Sequence, residues 1–103
     1  MSIDITIRAT PPNAVMSVAG ILDSKTQGAF KQKSEEILAQ ANLSKITLDF
    51  ARLQSLDASV SGMIMFFNHA AKAKKKTIAI ANANPAVLSF LHKANIGKVM
   101  PIN

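Results

Sequence analysis

Cysteine, tryptophan and tyrosine are missing from the 103 residues of this chain. Without cysteine there is no disulfide framework, thiolate nucleophile, thiolate zinc site or iron–sulfur cluster, and the composition fits a reducing compartment. Phenylalanine is the only aromatic, in five copies. Glycine is sparse, with four copies, and none forms a phosphate-cradling glycine-rich loop. No uninterrupted apolar run approaches the roughly 18 residues of a membrane helix, so membrane insertion is not expected. The opening Met1-Ser2-Ile3-Asp4-Ile5-Thr6-Ile7 lacks the basic start and apolar stretch of a secretion signal. There is no low-complexity stretch, linker or internal repeat.

What is present describes a folded domain. Apolar residues make up 49% and charged residues 17%, which excludes a disordered chain. The length suffices for one domain, residues 1–103, that folds without staples. Twelve Lys and Arg against six Asp and Glu leave a net charge of +6. Together these features predict a soluble, cytoplasmic single domain.

Ile3, Ile5 and Ile7 alternate with Asp4, Thr6 and Arg8, the period-two signature of a strand with one buried face. Thr10-Pro11-Pro12-Asn13 interrupts it, because proline has no N–H for a sheet ladder. Ala14 to Ile21 reads as a second strand joined to the first by a tight hairpin. Asp23 or Ser24 is then placed to cap a helix. That helix is expected from about residue 25 to residue 42, with Phe30, Ser34, Ile37, Leu38 and Ala41 on its inner stripe.

Ile46 to Phe50 reads as a short strand. A second helical pattern follows Asp57 and Ser59, through Val60, Met63, Ile64, Phe67, Ala70 and Ala71. Thr77 to Ala81 is a nearly continuous apolar run, as in a strand covered on both sides. Pro85 suits the first turn of a last helix with Val87, Leu88, Leu91 and Ala94 inward. Gly97 ends it, and Val99-Met100 is the candidate for a final edge strand. The predicted order is β-β-α-β-α-β-α, an α/β fold in which right-handed crossovers make a mixed sheet.

Catalytic chemistry finds little support in these residues, and an enzyme is not expected. His69 and His92 fall on separate predicted helices, neither with a ligand-spaced partner. No nucleophile-elbow motif surrounds any serine. No cofactor or metal is implied. Lys72, Lys74, Lys75 and Lys76 cluster where a helix meets a strand, a place where cations offset the helix dipole. No aromatic platform is interleaved with them for stacking bases, so no specific nucleic acid is expected as a partner.

The segment Leu53-Gln54-Ser55-Leu56-Asp57-Ala58-Ser59-Val60-Ser61-Gly62 is the richest in chemistry. Asp57 as N-cap with Ser59 in the first turn accounts for both residue types structurally. A serine exposed at a helix N-terminus also sits where free N–H groups and the positive dipole end tolerate a phosphate.

The chain resembles STAS domains of the bacterial anti-sigma factor antagonist type over essentially its whole length. The resemblance rests on Gly20-Ile21-Leu22-Asp23 with Thr26, on Ile46-Thr47-Leu48-Asp49-Phe50, and on Leu56-Asp57-Ala58-Ser59. It continues through Asn82-Ala83-Asn84-Pro85-Ala86-Val87, Leu91, Ile96 and Lys98-Val99. In that family the loop usually reads aspartate, serine, serine or threonine, glycine, and the second hydroxyl residue is phosphorylated.

The resemblance therefore implies Ser59 as phosphoacceptor, Asp57 as the family aspartate, and Ser61 as a secondary candidate. Ala58 replaces the first hydroxyl residue. Val60 replaces the usual glycine, and Gly62 follows two residues later. Asp23, Ser24 and Thr26, with Asp57, Ala58, Val60 and Gly62, would border the partner surface.

The implied fold is a STAS-like mixed sheet with its helices mainly on one face. The implied function is a phosphorylation-controlled binding module in a partner-switching system. Its partners would be a serine kinase and anti-sigma factor with a histidine-kinase-like ATPase fold, and a metal-dependent serine phosphatase. The rivals are a STAS subunit of a membrane lipid or solute ABC transporter and a small basic nucleic-acid-binding protein.

Overall fold

A computed structural model describes residues 3–103 of the chain; Met1 and Ser2 of the expected domain lie outside the described residues. Strand β1 (Ile3–Thr10) and strand β2 (Asn13–Leu22) form an antiparallel hairpin in which Thr10 pairs with Asn13. The hairpin turn is thus the two prolines alone, whose missing N–H groups cost the ladder nothing there. Helix α1 (Gln27–Leu38) leads to strand β3 (Lys45–Asp49) and strand β4 (Leu53–Leu56). Helix α2 (Ala58–Ala73), strand β5 (Thr77–Ala81) and helix α3 (Pro85–Lys93) complete the regular elements.

The sheet runs β1-β2-β3-β5, with β4 also paired to β2. Only β1–β2 is antiparallel; β2–β3, β2–β4 and β3–β5 are parallel. β3 lies along Asn13–Ser17 of β2 and β4 along Gly20–Leu22, so the two short strands share one lane. The change from one to the other falls at Gly20, which has a φ of 104° and donates its N–H to the Arg52 carbonyl at 3.1 Å. That conformation is open to glycine and strained for other residues.

Alternation along the strands decides which face the helices take. Ala14, Met16 and Val18 of β2, Ile46 and Leu48 of β3, and Ile78 and Ile80 of β5 are all fully buried. They share the core with Phe30, Ile37 and Leu38 of α1, Val60, Ile64, Phe67 and Ala71 of α2, and Val87 and Leu91 of α3. The intervening Val15, Ser17, Thr47, Asp49 and Ala79 are half-buried. Their face opens into a cleft of about 320 Å³ lined by Asp4, Thr6, Arg8, Ser17, Asp49 and Arg52, among others. β5 is therefore closed on one face and half-open on the other, not covered on both as its apolar run predicts.

The α/β class and mixed sheet match expectation, and three details of the order do not. β4 is a strand the sequence reading leaves out, since only Leu53 of its four residues is fully buried. Val99-Met100 is not an edge strand; a 3-10 turn at Ile96–Lys98 precedes it, and the chain reaches the sheet only at Ile102, bridged to Ile80. α1 ends at Leu38 rather than residue 42, leaving Ala41 exposed, and Leu43 in the following turn fills the core instead.

Candidate functional site

The pairing of β2 with β4 builds the site. Because the two strands are parallel, their C-terminal ends emerge side by side, with Leu22 opposite Leu56. The segments that follow, Asp23–Thr26 and Asp57–Ser59, must therefore be neighbours. Asp57 ties them directly, donating its N–H to the Leu22 carbonyl at 3.2 Å.

Asp57 is the N-cap of α2, with extended backbone and an exposed side chain. Its Oδ1 accepts from the Ser59 N–H at 3.0 Å and also from the Ser59 hydroxyl. Ala58 and Ser59 are exposed at the first turn. Ser61 is half-buried, and its hydroxyl donates to the Ala58 carbonyl at 2.9 Å, folded back on the helix. Val60 is fully buried in the core, so unlike the expectation it does not border a partner surface. The valine that departs from the family pattern is thus the first core residue of α2 and lies within the helix, so it does not constrain the preceding turn. Gly62 is exposed, and a methyl group there would meet no other atom within 4 Å.

The neighbouring turn is organised around Thr26, which is only 7% exposed. Its hydroxyl donates to the Ile21 carbonyl at 2.8 Å and accepts from the Asp23 N–H at 2.9 Å. The Asp23 carboxylate accepts from the N–H groups of Lys25 and Thr26 at 2.9 and 3.1 Å. Asp23 therefore closes a turn ahead of α1 rather than capping it. Thr26 occupies the N-cap position without a side-chain cap bond, and Ser24 is exposed and caps nothing. The capping role expected of Asp23 or Ser24 fails because the turn inserts one more loop before the helix starts.

A second feature escaped the sequence. Lys76 is 5% exposed, and its ammonium donates to the carbonyls of Gln40, at 2.7 Å, and Leu43. It satisfies carbonyls just beyond the end of α1, where cations are favoured. The basic cluster at the surface is thus Lys72, Lys74 and Lys75. Among the described residues no group of three or more His, Cys, Asp or Glu side chains could hold a metal ion. No helix there is long and apolar enough to cross a membrane.

A family model described as Mlab, STAS domain matches residues 5–101. The chain belongs to the STAS domain family. An anti-sigma F factor antagonist from Paenibacillus polymyxa is 26% identical over 88 residues, 85% of this chain and 75% of the relative. An anti-sigma factor antagonist from Mycobacterium paratuberculosis superposes with a TM-score of 0.87 at 18% identity, covering 98% of this chain and 85% of that one. The anti-sigma factor antagonist SpoIIAA of Bacillus, in its unphosphorylated form, gives 0.81 at 20% identity over 97% of this chain and 88% of its own. SpoIIAA has also been solved in a phosphorylated form. At these identities the solved structures share the fold of this STAS domain: five strands in a mixed sheet with helices on its buried face.

Proposed function

We propose that this STAS domain is a phosphorylation-controlled protein-binding module, an anti-sigma factor antagonist in a bacterial partner-switching system, with Ser59 as its phosphoacceptor. The observation that carries the reading is the exposed Ser59 hydroxyl at the start of α2, held by Asp57 and flanked by the Asp23–Thr26 turn. The Paenibacillus polymyxa relative points the same way. The partner would be an anti-sigma factor that is itself a serine kinase with a histidine-kinase-like ATPase fold. A metal-dependent serine phosphatase would reverse the modification, and the exchange would take place in the cytoplasm.

The chemistry asks little of this chain. With its proton directed at Asp57, the Ser59 oxygen turns its lone pairs to solvent, where a nucleotide's terminal phosphate would approach. ATP and Mg²⁺ come with the kinase, so the domain needs no catalytic residues. Phosphate adds about −1.5 to −2 charge at neutral pH, beside the Asp57 carboxylate that holds the Ser59 hydroxyl. A partner packed tightly on this surface must desolvate or pair that charge. A penalty of about 3 kcal/mol weakens binding roughly a hundredfold.

Affinity capture of the tagged domain from its own cells, followed by phosphosite mapping, tests the reading. Recovery of an anti-sigma kinase together with phosphate on Ser59 is the expected result. Phosphate confined to Ser61, or none after incubation with an active cognate kinase, removes Ser59 from this role. Recovery of a transport ATPase in place of a kinase selects the transporter-subunit reading.

A further inference from the structure

We propose that the free edge of β1 is a self-association surface, and that its occupant is a second copy of this chain joined antiparallel with Thr6 facing its own symmetry mate. Among the described residues β1 pairs only with β2, so its outer edge carries unpaired backbone groups. Such an edge is a template for another strand. Ile3, Ile5 and Ile7 face the helix side yet are only half-buried, unlike their neighbours Met16 and Val18 on β2. Beside them lies a cleft of about 260 Å³ between β1 and α1, lined by Ile3, Ile5, Ala29, Gln32 and Lys33, among others. Apolar surface is thus left over along the edge that also lacks backbone partners.

Charge selects the occupant and the register. An antiparallel pair of identical strands related by a twofold axis pairs residues whose numbers sum to twice that of the central residue. Opposed residues then point to the same face of the sheet. With Thr6 at the centre, Asp4 opposes the second copy's Arg8, and Arg8 opposes its Asp4. Both lie on the open face, where these side chains are exposed. On the other face Ile5 meets the second copy's Ile7, at the mouth of the cleft beside α1. Centred on Ile5 the same strands would set Asp4 against Thr6, and centred on Ile7 they would set Arg8 against Thr6. The Thr6 register alone pairs both charges with their opposites, twice over by symmetry. Cross-strand pairs of opposite charge stabilise a ladder, and like charges in the same positions destabilise it.

Sedimentation equilibrium on the full chain tests this with charge swaps. The native chain should shift from monomer to dimer mass as concentration rises. Asp4→Arg and Arg8→Asp should each weaken association at least about tenfold, because either change sets two like-charged pairs across the axis. The double variant D4R/R8D should recover the native dimer constant. Amide exchange should show β1 protection that rises with concentration in the native and double variants only. A native chain that stays monomeric at every concentration overturns the proposal. So does a dimer that the single swaps leave intact, or one that the double swap fails to restore. Both side chains are exposed, and circular dichroism confirms that each variant folds; should a single swap unfold, the double swap and the exchange pattern still decide.

Discussion

Asp57 takes two hydrogen bonds from Ser59, one from its backbone N–H and one from its hydroxyl, so the residue that caps α2 also orients the candidate acceptor. Replacing Ser59 by alanine removes only the hydroxyl bond and leaves the cap in place. Ser59→Ala should therefore retain both fold and partner binding. Ser59→Asp sets a second carboxylate against Asp57 and adds one charge to the surface, about half or more of what phosphate adds. It should weaken partner binding, though less than phosphorylation does. Titration calorimetry of both variants against the anti-sigma partner measures this, and equal affinities would exclude a switch driven by charge.

Thr26 holds the second half of the surface, and its single hydroxyl proton is committed to the Ile21 carbonyl. It bridges the Ile21 carbonyl and the Asp23 N–H from a nearly closed position. Thr26→Val keeps the shape and strands both groups, a loss of about 1–3 kcal/mol. Thr26→Ser keeps the hydroxyl and should recover most of it. Urea denaturation of the pair separates the hydrogen bonds from the lost methyl group. A valine variant as stable as the native chain would mean the turn satisfies itself by other means.

The hairpin and the parallel crossovers were legible because their strands alternate or run apolar long enough to show a period. β4 was not. Gln54 and Ser55 are exposed, and its reason for being a strand is the free C-terminal stretch of β2 beyond Gly20, a tertiary fact. The juxtaposition of Asp57 with the Asp23–Thr26 turn follows from that same pairing, so residue types named the site while topology alone assembled it. Lys76 reads as one more member of a charge run. Only the fold reveals the carbonyls of Gln40 and Leu43 that accept from it. Val99-Met100 misled in the opposite direction: two apolar residues after Gly97 look strand-like in sequence, while the chain makes a 3-10 turn at Ile96–Lys98 and bridges to the sheet at Ile102.

That buried lysine divides the basic segment into two kinds of residue. Lys76→Met removes a charged donor from two carbonyls and should destabilise the domain by about 1–3 kcal/mol. Lys72, Lys74 and Lys75 are exposed, and changing each to glutamine should move stability by no more than about 0.5 kcal/mol. With the exposed part of this cluster reduced to those three and no aromatic platform beside them, binding to oligonucleotides should be weak, salt-sensitive and without sequence preference. Fluorescence anisotropy at physiological salt checks the last point. Sub-micromolar binding abolished by the three exposed substitutions would restore nucleic acid as a partner.

α2 links the candidate acceptor to the core, and its packing says how a switch at Ser59 must work. Val60, Ile64, Phe67 and Ala71 are buried along one face, and the Phe67 ring meets Phe30 of α1 edge-on, with centroids 5.9 Å apart and planes at 87°. Phe67→Ala should cost about 3–5 kcal/mol, a large share of the roughly 5–15 kcal/mol that holds a domain together. Anchored so, α2 has no low-cost route to unfold. A phosphate on Ser59 would lie near the positive end of this helix, a gain of about 0.3–1 kcal/mol. It would also confront the Asp57 carboxylate, which opposes that gain. The net change in stability should stay below about 1 kcal/mol, a shift in Tm of less than about 4–8 °C for a domain of this size. Circular dichroism melts and amide exchange on the two forms provide the check. Unchanged protection from residue 60 to residue 71 is the expected outcome. Loss of protection there on phosphorylation would mean that the switch works by melting α2, and a surface-charge mechanism would have to be given up.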